Sequence, residues 1–246
     1  MEPTTSPEIS PEKMDFRAYS ISWNLTKRCN LNCDHCYLDA EFRGGLKTDE
    51  LNTEECFRVI DQIAEVNPNA FLILTGGEPL LRPDIYEIIR YAADKKFMVV
   101  LGTNGTMINR VNAEKIKAAG AHGVGISIDS MNPDKHNKFR GVDKAWEHSM
   151  EAFDILNEVG VDFLVQMSVS DMNYKEIPDV VEFTEKIGAI AFNLYFLVCT
   201  GRGQGNTDIS NAAYEEALKM LYDQQMKYKG KLMINSKCAP QYKRVV

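Results

Sequence analysis

Short apolar runs and longer segments of helical periodicity alternate along most of the chain. Residues 70–75 form a continuous apolar run of strand length, whereas the apolar side chains within 52–66 recur at helical spacing. This pairing of a buried-type strand with a helix occurs six times, at intervals of roughly 30 residues, as parallel strands joined by helices require. The predicted strands are 19–25, 70–75, 97–101, 123–128, 163–169 and 191–198, and the predicted helices are 52–66, 84–95, 111–119, 144–159, 177–187 and 211–228.

Six consecutive strand–helix units leave two architectures, a doubly wound sheet or a barrel. The positions of the unusual residues distinguish them, because almost every one follows directly after a strand. A barrel gathers all such positions on one catalytic face, whereas a doubly wound sheet gathers only those at its switch point. Since units along the whole chain contribute, we predict an α/β fold, a partial (β/α)6 TIM-like barrel open on one side. The unusual residues are Cys29, Glu78, Asn104, Asp129 and Arg202.

Composition and charge restrict the class of protein. The chain has 246 residues, 44% hydrophobic and 26% charged, which suits one large soluble domain. A net charge of −7 argues against a nucleic-acid partner. The apolar runs are too short to span a bilayer, and no targeting segment is visible, so we expect no membrane partner and a cytoplasmic location. Residues 1–15, with three prolines, are predicted to be a disordered lead-in to a barrel over residues 16–230.

Half of the six cysteines lie in one short stretch after the first strand. Cys29, Cys33 and Cys36 have the spacing C-x3-C-x2-C, and clustered cysteines in a reducing compartment indicate a metal site. Structural zinc needs four ligands and ferredoxin sequences supply four cysteines, so a triplet fits neither. Three thiolates instead predict a [4Fe–4S] cluster with one open iron. His35 lies between two of these ligands and is interpreted as a spacer.

The cysteine spacing, followed by Tyr37, resembles the signature of the radical S-adenosylmethionine (SAM) enzymes, and the resemblance extends from about residue 20 to 198. Gly76-Gly77-Glu78-Pro79 resembles the G-G-E-P segment of that family. The resemblance implies that SAM binds the open iron and is cleaved reductively to methionine and a 5′-deoxyadenosyl radical, which takes a hydrogen atom from the substrate. It also implies an electron donor such as flavodoxin or ferredoxin.

The G-G-E-P segment is the first candidate for SAM binding. Two glycines allow the backbone to approach a ligand closely, and Glu78 can either pair with an ammonium group or brace the loop. A plain strand-to-helix turn would use the same residue types. Asn104 lies on the cofactor face by resemblance, although a turn residue would look the same.

Four further residues are candidates for the SAM site. Alternation puts Ser127 and Asp129 on one face, and the resemblance implies a ribose-binding serine there, with Asp129 second. Asp129 could instead cap the segment that follows. Arg140 lies in a segment that resembles one whose arginine contacts the SAM carboxylate, a bidentate match, although a surface arginine is the alternative. Gln166 is a polar residue among apolar neighbours, assigned near the adenosyl group.

Residues 193–203 resemble a segment of the haem d1 and alternative haem biosynthesis branch, except that this branch tends to have proline where this chain has Cys199. Arg202 is the candidate to hold a substrate carboxylate, such as a tetrapyrrole propionate. Cys199 is the candidate hydrogen-atom donor. A flexible loop with a solvated arginine and an incidental thiol is the alternative interpretation of this segment.

Residues 231–246 are predicted to begin a cysteine-containing extension, because the sequence around Cys238 resembles the entry to the SPASM or twitch type. Such extensions carry auxiliary iron–sulfur clusters. Either the extension is truncated at Val246 or Cys238 is a vestige, and Cys199 and Cys238 together are candidate ligands of an auxiliary cluster.

The sequence therefore favours a radical SAM enzyme that modifies side chains of a tetrapyrrole, a haem precursor. The second hypothesis keeps the radical chemistry but assigns a peptide or protein substrate, as in peptide or sulfatase maturation. A third hypothesis, from another class, is an iron–sulfur binding or electron-transfer module, against which the Gly76–Pro79 and Arg140 segments argue.

Overall fold

The structure is a computed structural model and describes residues 20–44, 49–198, 200–204 and 209–246. A curled sheet of seven parallel strands forms one layer, and the helices cover its outer face. Each strand of this sheet pairs with the sheet strand that follows it along the chain, as in a barrel that is open on one side, and two further two-residue strands pair separately with each other. The predicted partial barrel is confirmed.

Element bounds follow the predicted units closely. The strands are β1 Ser20–Asn24, β2 Arg28–Cys29, β3 Glu41–Phe42, β4 Phe71–Thr75, β5 Met98–Thr103, β6 Gly123–Ser127, β7 Phe163–Val169, β8 Ala191–Phe196 and β9 Met233–Lys237. The helices are α1 Thr53–Val66, α2 Ile85–Asp94, α3 Arg110–Ala118, α4 Pro133–Arg140, α5 Ala145–Val159, α6 Ile177–Lys186 and α7 Asn211–Lys227.

Besides the two-residue strands β2 and β3, the sequence did not predict α4 and β9. The sequence of α4 is mostly polar and buries only His136, Phe139 and Arg140, so it carries no apolar periodicity. Strand β9 pairs in parallel with β8 and gives the sheet its seventh strand, yet it has a single fully buried residue, Ile234. The assignment of residues 231–246 to the start of an extension stays a prediction.

Alternation along the strands separates a core face from an inner face. In β7 the residues that face the helices are buried, while Leu164, Gln166 and Ser168 on the other side are half-buried. The inner face is thus partly open, and Gln166 lies on it. Helix α1 begins as predicted, with a capping box in which Asn52 accepts from the Glu55 N–H at 3.0 Å. In the described part of the chain, no helix combines the length and apolarity that crossing a membrane requires.

Candidate active site

The three cysteines of the C-x3-C-x2-C sequence lie together at the end of the barrel where the strands terminate. Cys29 is the last residue of β2, and Cys33 and Cys36 follow in the turn that leads towards β3. We call residues 26–42 the cysteine loop. Cys29 and Cys33 are buried, and all three cysteines pack in one small apolar cluster, which is separate from the main core and includes Leu31 and Ala40.

Each of the three sulfurs has a hydrogen-bond donor beside it. The Leu31 N–H donates to Cys29 Sγ at 3.4 Å, the Ala40 N–H donates to Cys36 Sγ at 3.3 Å, and Arg140 Nη1 lies 3.9 Å from Cys33 Sγ. Such donors stabilise thiolates. Burial raises the pKa of Cys29 to about 12 and also raises that of Cys33, so binding of a metal by these thiols would require the loss of a proton from each.

The number of cysteine ligands bears on the kind of metal site. A structural zinc ion is usually held by four protein ligands, whereas the cysteine loop offers three sulfurs. Within the described ranges, no group of three His, Cys, Asp or Glu side chains has the arrangement of a preformed metal site. The assignment of a [4Fe–4S] cluster to Cys29, Cys33 and Cys36 therefore stays a prediction.

Three glycines from different parts of the barrel press against carbonyls of the cysteine loop. A Cβ atom at any of them would lie 2.2–2.4 Å from a carbonyl oxygen, closer than real Cβ contacts come. We call these residues the glycine cradle. Its pairs are Gly77 with the Arg28 carbonyl at 2.2 Å, Gly141 with the Asn32 carbonyl at 2.3 Å, and Gly201 with the Cys36 carbonyl at 2.4 Å.

The segment Gly76–Pro79 holds the start of the cysteine loop. The Gly77 N–H donates to the Thr26 carbonyl at 2.7 Å, and the Glu78 N–H donates to the Arg28 carbonyl at 2.8 Å. Gly76 has φ +144° and also abuts Thr26. The close approach predicted for the two glycines therefore exists, but in this structure it is made to the loop. Their contact with SAM stays a prediction.

Glu78 braces the ends of two neighbouring strands. It is fully buried and accepts hydrogen bonds from Thr103 Oγ1 at 2.8 Å, from the Asn104 N–H at 2.9 Å and from the Leu80 N–H at 3.0 Å. Burial raises its pKa to about 7, against these hydrogen bonds. Of the two roles considered for Glu78, the structure contains the brace. Pro79 begins the single 3-10 turn that follows.

Asn104 reaches the cysteine loop from β5. Its Nδ2 donates to Asn30 Oδ1 at 2.9 Å and lies 4.0 Å from Cys29 Sγ, while its Oδ1 accepts from the Thr106 N–H at 2.9 Å. Asn30 Nδ2 in turn donates to Thr106 Oγ1 at 2.7 Å. Sequence reasoning missed Asn30, because an asparagine inside a loop carries no sign of its partner.

Asp129 and Arg140 form a buried ion pair beside Cys33. Arg140 Nε and Nη2 both contact Asp129 Oδ2 at 2.6 Å, and the Ser168 N–H donates to Asp129 Oδ1 at 2.9 Å. Burial on its own would raise the pKa of the Asp129 carboxyl, but Arg140 and the other neighbouring groups together outweigh burial, and the pKa is lowered. Neither residue is a surface or simple capping residue. Their predicted contacts with the SAM carboxylate and ribose stay predictions.

The end of α4 packs on the cysteine loop. The Asn32 and Asp34 N–H groups donate to the Arg140 and Phe139 carbonyls at 3.1 and 3.2 Å. The His35 ring stacks on the Phe139 ring with centroids 4.0 Å apart. Burial lowers the pKa of His35 to about 3, so its ring is neutral and packed, in agreement with its interpretation as a spacer.

Ser127 and Gln166 are neighbours on the inner face of the sheet. They pair in register across β6 and β7, and the register continues to Asn193 on β8 and Asn235 on β9, whose Nδ2 donates to Asn193 Oδ1 at 2.9 Å. Gly125 leaves room for the Gln166 amide, since a Cβ there would lie 2.9 Å from Nε2. This polar row borders the open face, and the SAM contacts of Ser127 and Gln166 stay predictions.

The two substrate candidates have different outcomes. Cys199 lies outside the described residues. Arg202 is half-buried, and its Nε and Nη1 donate to the Cys33 and Ala40 carbonyls at 3.1 and 2.6 Å. Its contact with a substrate carboxylate stays a prediction. Cys238 is exposed just beyond β9, with φ +58°.

Buried His136 gives a pH-dependent prediction. Its Nδ1 accepts from the Asp129 N–H at 3.2 Å, and burial lowers its pKa from 6.5 to about 4. As the pH falls from 6.5 to 4, His136 therefore binds a proton in the unfolded chain before it does so in the folded chain. The free energy of unfolding should fall by up to about 3 kcal/mol over this range. His136→Gln keeps an acceptor but not this proton, so its urea-unfolding free energy should fall less steeply over that range.

The comparison isolates His136 because Glu78 and Asp129, which titrate with their own shifts, are present in both chains and cancel in the difference. His148→Gln, at an exposed position on α5, is the matched control and should parallel the unaltered chain. Equal slopes for the unaltered chain and His136→Gln would contradict the assignment of a neutral, buried His136.

Relatives of the chain were found by sequence. A profile of the Radical SAM superfamily matches residues 23–184, more than half of the chain. An AdoMet-dependent heme synthase from Methanosarcina barkeri is 38% identical over 92% of this chain and 63% of its own length. An Fe-coproporphyrin III synthase from the same organism is 34% identical over 84% of this chain and 51% of its own length. The chain thus spans between half and two thirds of the length of these relatives.

Solved structures show the same fold. Streptococcus suis SuiB bound to its precursor peptide SuiA superposes with a TM-score of 0.74 at 16% identity, covering 89% of this chain and 49% of SuiB. Native anSMEcpe with bound AdoMet superposes with a TM-score of 0.69 at 19% identity, covering 87% of this chain and 63% of that protein. At these identities the likeness concerns the arrangement of strands and helices.

Proposed function

The chain belongs to the radical SAM superfamily, and from this membership we propose that it is an enzyme that modifies side chains of a tetrapyrrole. Cys29, Cys33 and Cys36 would hold the [4Fe–4S] cluster. The observation that carries this proposal is the packing of the three cysteines in one small apolar cluster, with a hydrogen-bond donor beside each sulfur. When bound, the cluster supplies the electron that cleaves SAM to methionine and a 5′-deoxyadenosyl radical.

The chain's own residues shape the site in which we propose that the cluster and its ligands bind. The glycine cradle and Glu78 fix the backbone of the cysteine loop, and this backbone carries the three sulfurs. Arg140 adds a positive charge beside Cys33, which stabilises the thiolate form of that ligand. The polar row of Ser127, Gln166 and Asn193 offers hydroxyl and amide groups to a cofactor or substrate on the inner face.

The substrate class rests on the relatives. Their names describe the synthesis of haem and of Fe-coproporphyrin III, and both match most of this chain at 34–38% identity. A tetrapyrrole that carries propionate arms is therefore the substrate we propose, with flavodoxin or ferredoxin as the electron donor. An auxiliary cluster near Cys238 belongs to the same proposal.

SAM cleavage tests the radical part. The anaerobically reconstituted chain, reduced with dithionite, should convert SAM to 5′-deoxyadenosine, as measured by liquid chromatography with mass spectrometry. Cys33→Ala should lose both iron and product. Cys56→Ala, at a buried cysteine on α1 outside the loop, is the matched control and should keep both. If the iron-loaded, unaltered chain makes no 5′-deoxyadenosine, the radical chemistry is wrong.

Product mass tests the substrate. Addition of an iron coproporphyrin should increase 5′-deoxyadenosine formation and change the mass of the porphyrin by the loss of atoms from its side chains. If SAM is cleaved while every tetrapyrrole offered keeps its mass, and a peptide is modified instead, the substrate assignment is wrong and the radical chemistry stands.

A further inference from the structure

We infer that Arg202 is a positioning residue for the cysteine loop and thereby for the sulfurs of Cys33 and Cys36. This inference rests on the proposed function, because it concerns the ligands of the proposed cluster. The substrate-binding role that the sequence suggested for Arg202 stays a separate prediction.

Arg202 contacts the cysteine loop through its backbone and its side chain. Its N–H donates to the Cys36 carbonyl at 3.1 Å, and its Nε donates to the Cys33 carbonyl at 3.1 Å. Its Nη1 donates to the Ala40 carbonyl at 2.6 Å and contacts Asp39 Oδ1 at 3.1 Å. One residue thus joins four positions of the loop, among them two of the three proposed cluster ligands.

Gly201 makes these contacts possible. It has φ +59°, in the left-handed region, and a Cβ on it would lie 2.4 Å from the Cys36 carbonyl oxygen and 2.7 Å from that of Tyr37. Only glycine accepts both conditions without a shift of the backbone. Gly201 and Arg202, which are adjacent in sequence, therefore both contact the same turn of the cysteine loop.

The turn that Arg202 holds is itself unfavourable. Asp39 has φ +51°, in the left-handed region that residues other than glycine rarely adopt. Such a conformation persists when surrounding contacts fix it, and Arg202 contributes two of them, the bonds to Asp39 and Ala40. Without these contacts, the turn between Cys36 and β3 has a more favourable conformation available, and the Cys36 sulfur moves with it.

The chemistry of the side chain explains why arginine is needed. Its planar guanidinium donates in fixed directions, and here Nε and Nη1 serve two carbonyls at once. A lysine has one nitrogen on a flexible stem and reaches one of these carbonyls well. The positioning role therefore predicts that Arg202→Lys retains part of the function of the loop, whereas Arg202→Ala loses it.

Thiol labelling of the metal-free chain tests the inference directly. Alkylation rates of individual cysteines are measured by mass spectrometry, with buried Cys56 on α1 as an internal reference for global unfolding. We expect Arg202→Ala to accelerate labelling of Cys33 and Cys36 about tenfold relative to Cys56, and Arg202→Lys to give an intermediate rate. Arg58→Ala, at an exposed arginine on α1, is the matched control and should change neither rate.

Iron retention gives the second measurement. After anaerobic reconstitution, Arg202→Ala should lose iron to a chelator about tenfold faster than the unaltered chain, and the electron paramagnetic resonance spectrum of its reduced cluster should differ. Unchanged labelling and unchanged iron loss in Arg202→Ala would overturn the positioning role. Equal acceleration at Cys56 would also overturn it, because the effect would then be global.

The proposed function and the positioning role of Arg202 can be contradicted independently of each other. If the unaltered chain binds no iron, the proposed function is wrong, while the labelling ratio still decides whether Arg202 orders the loop. If the unaltered chain binds iron and cleaves SAM, but Arg202→Ala does so with the same spectrum, the proposed function stands and Arg202 does not position the cluster ligands.

Discussion

Gly77→Ala should destabilise the folded chain by about 3 kcal/mol and prevent it from retaining iron. The new Cβ would lie 2.2 Å from the Arg28 oxygen and 2.7 Å from its carbonyl carbon. Both are backbone atoms, so no side chain can rotate away, and the segments must separate. That movement breaks the hydrogen bonds from the N–H groups of Gly77 and Glu78 to the cysteine loop, in addition to the cost of overpacking.

The comparison that isolates this effect is Gly188→Ala. Gly188 lies just beyond the end of α6 and has φ +76°, but a Cβ there would meet no atom within 4 Å. Its replacement should cost only the conformational strain, about 1 kcal/mol, and should leave iron binding intact. Urea unfolding measures the first quantity and iron per chain measures the second. If Gly77→Ala unfolds at the same urea concentration as Gly188→Ala and keeps its iron, the close approach of Gly77 to Arg28 is wrong.

The barrel could be predicted because each unit repeats a strong local pattern. Strand β7 was predicted at its observed bounds, since its core-facing residues are all apolar. The helices before and after it along the chain are followed by Gly160 and Gly188, which mark where each helix stops. Helix α4 was missed because it is held by its contacts with the cysteine loop, through Phe139 and Arg140, and only those two residues and His136 are buried. Its stability comes from tertiary contacts, which a local pattern does not contain.

Sequence reasoning predicted which residues lie at the candidate site better than it predicted what each of them contacts. Strand-end position identifies Glu78, Asn104 and Arg202 as members of one face, since parallel strands end at the same edge. It does not give the partner of each side chain. In the structure all three brace loops around the cysteines, because a buried polar group at this edge needs a protein partner whether or not a ligand is present.

Asp129→Asn should cost about 3–5 kcal/mol of folding free energy, because it leaves the Arg140 guanidinium buried without a counter-charge. Asp129 is fully buried and accepts both contacts of Arg140 at 2.6 Å. A carboxylate that loses its partner can take up a proton, but a guanidinium stays charged at any pH used for proteins. The loss should therefore persist across the pH range accessible to the folded chain, as measured by urea unfolding.

A double variant separates the stability of this pair from its role at the cluster. Asp129→Asn with Arg140→Met removes both charges and should recover most of the lost stability, since an apolar replacement of a buried pair is often neutral. It also removes the donor 3.9 Å from Cys33 Sγ, so iron loss to a chelator should stay about tenfold faster than in the unaltered chain. If the double variant is no more stable than Asp129→Asn, the unpaired charge is not the cause of the destabilisation. If it also regains normal iron retention, Arg140 acts in this site only as the partner of Asp129.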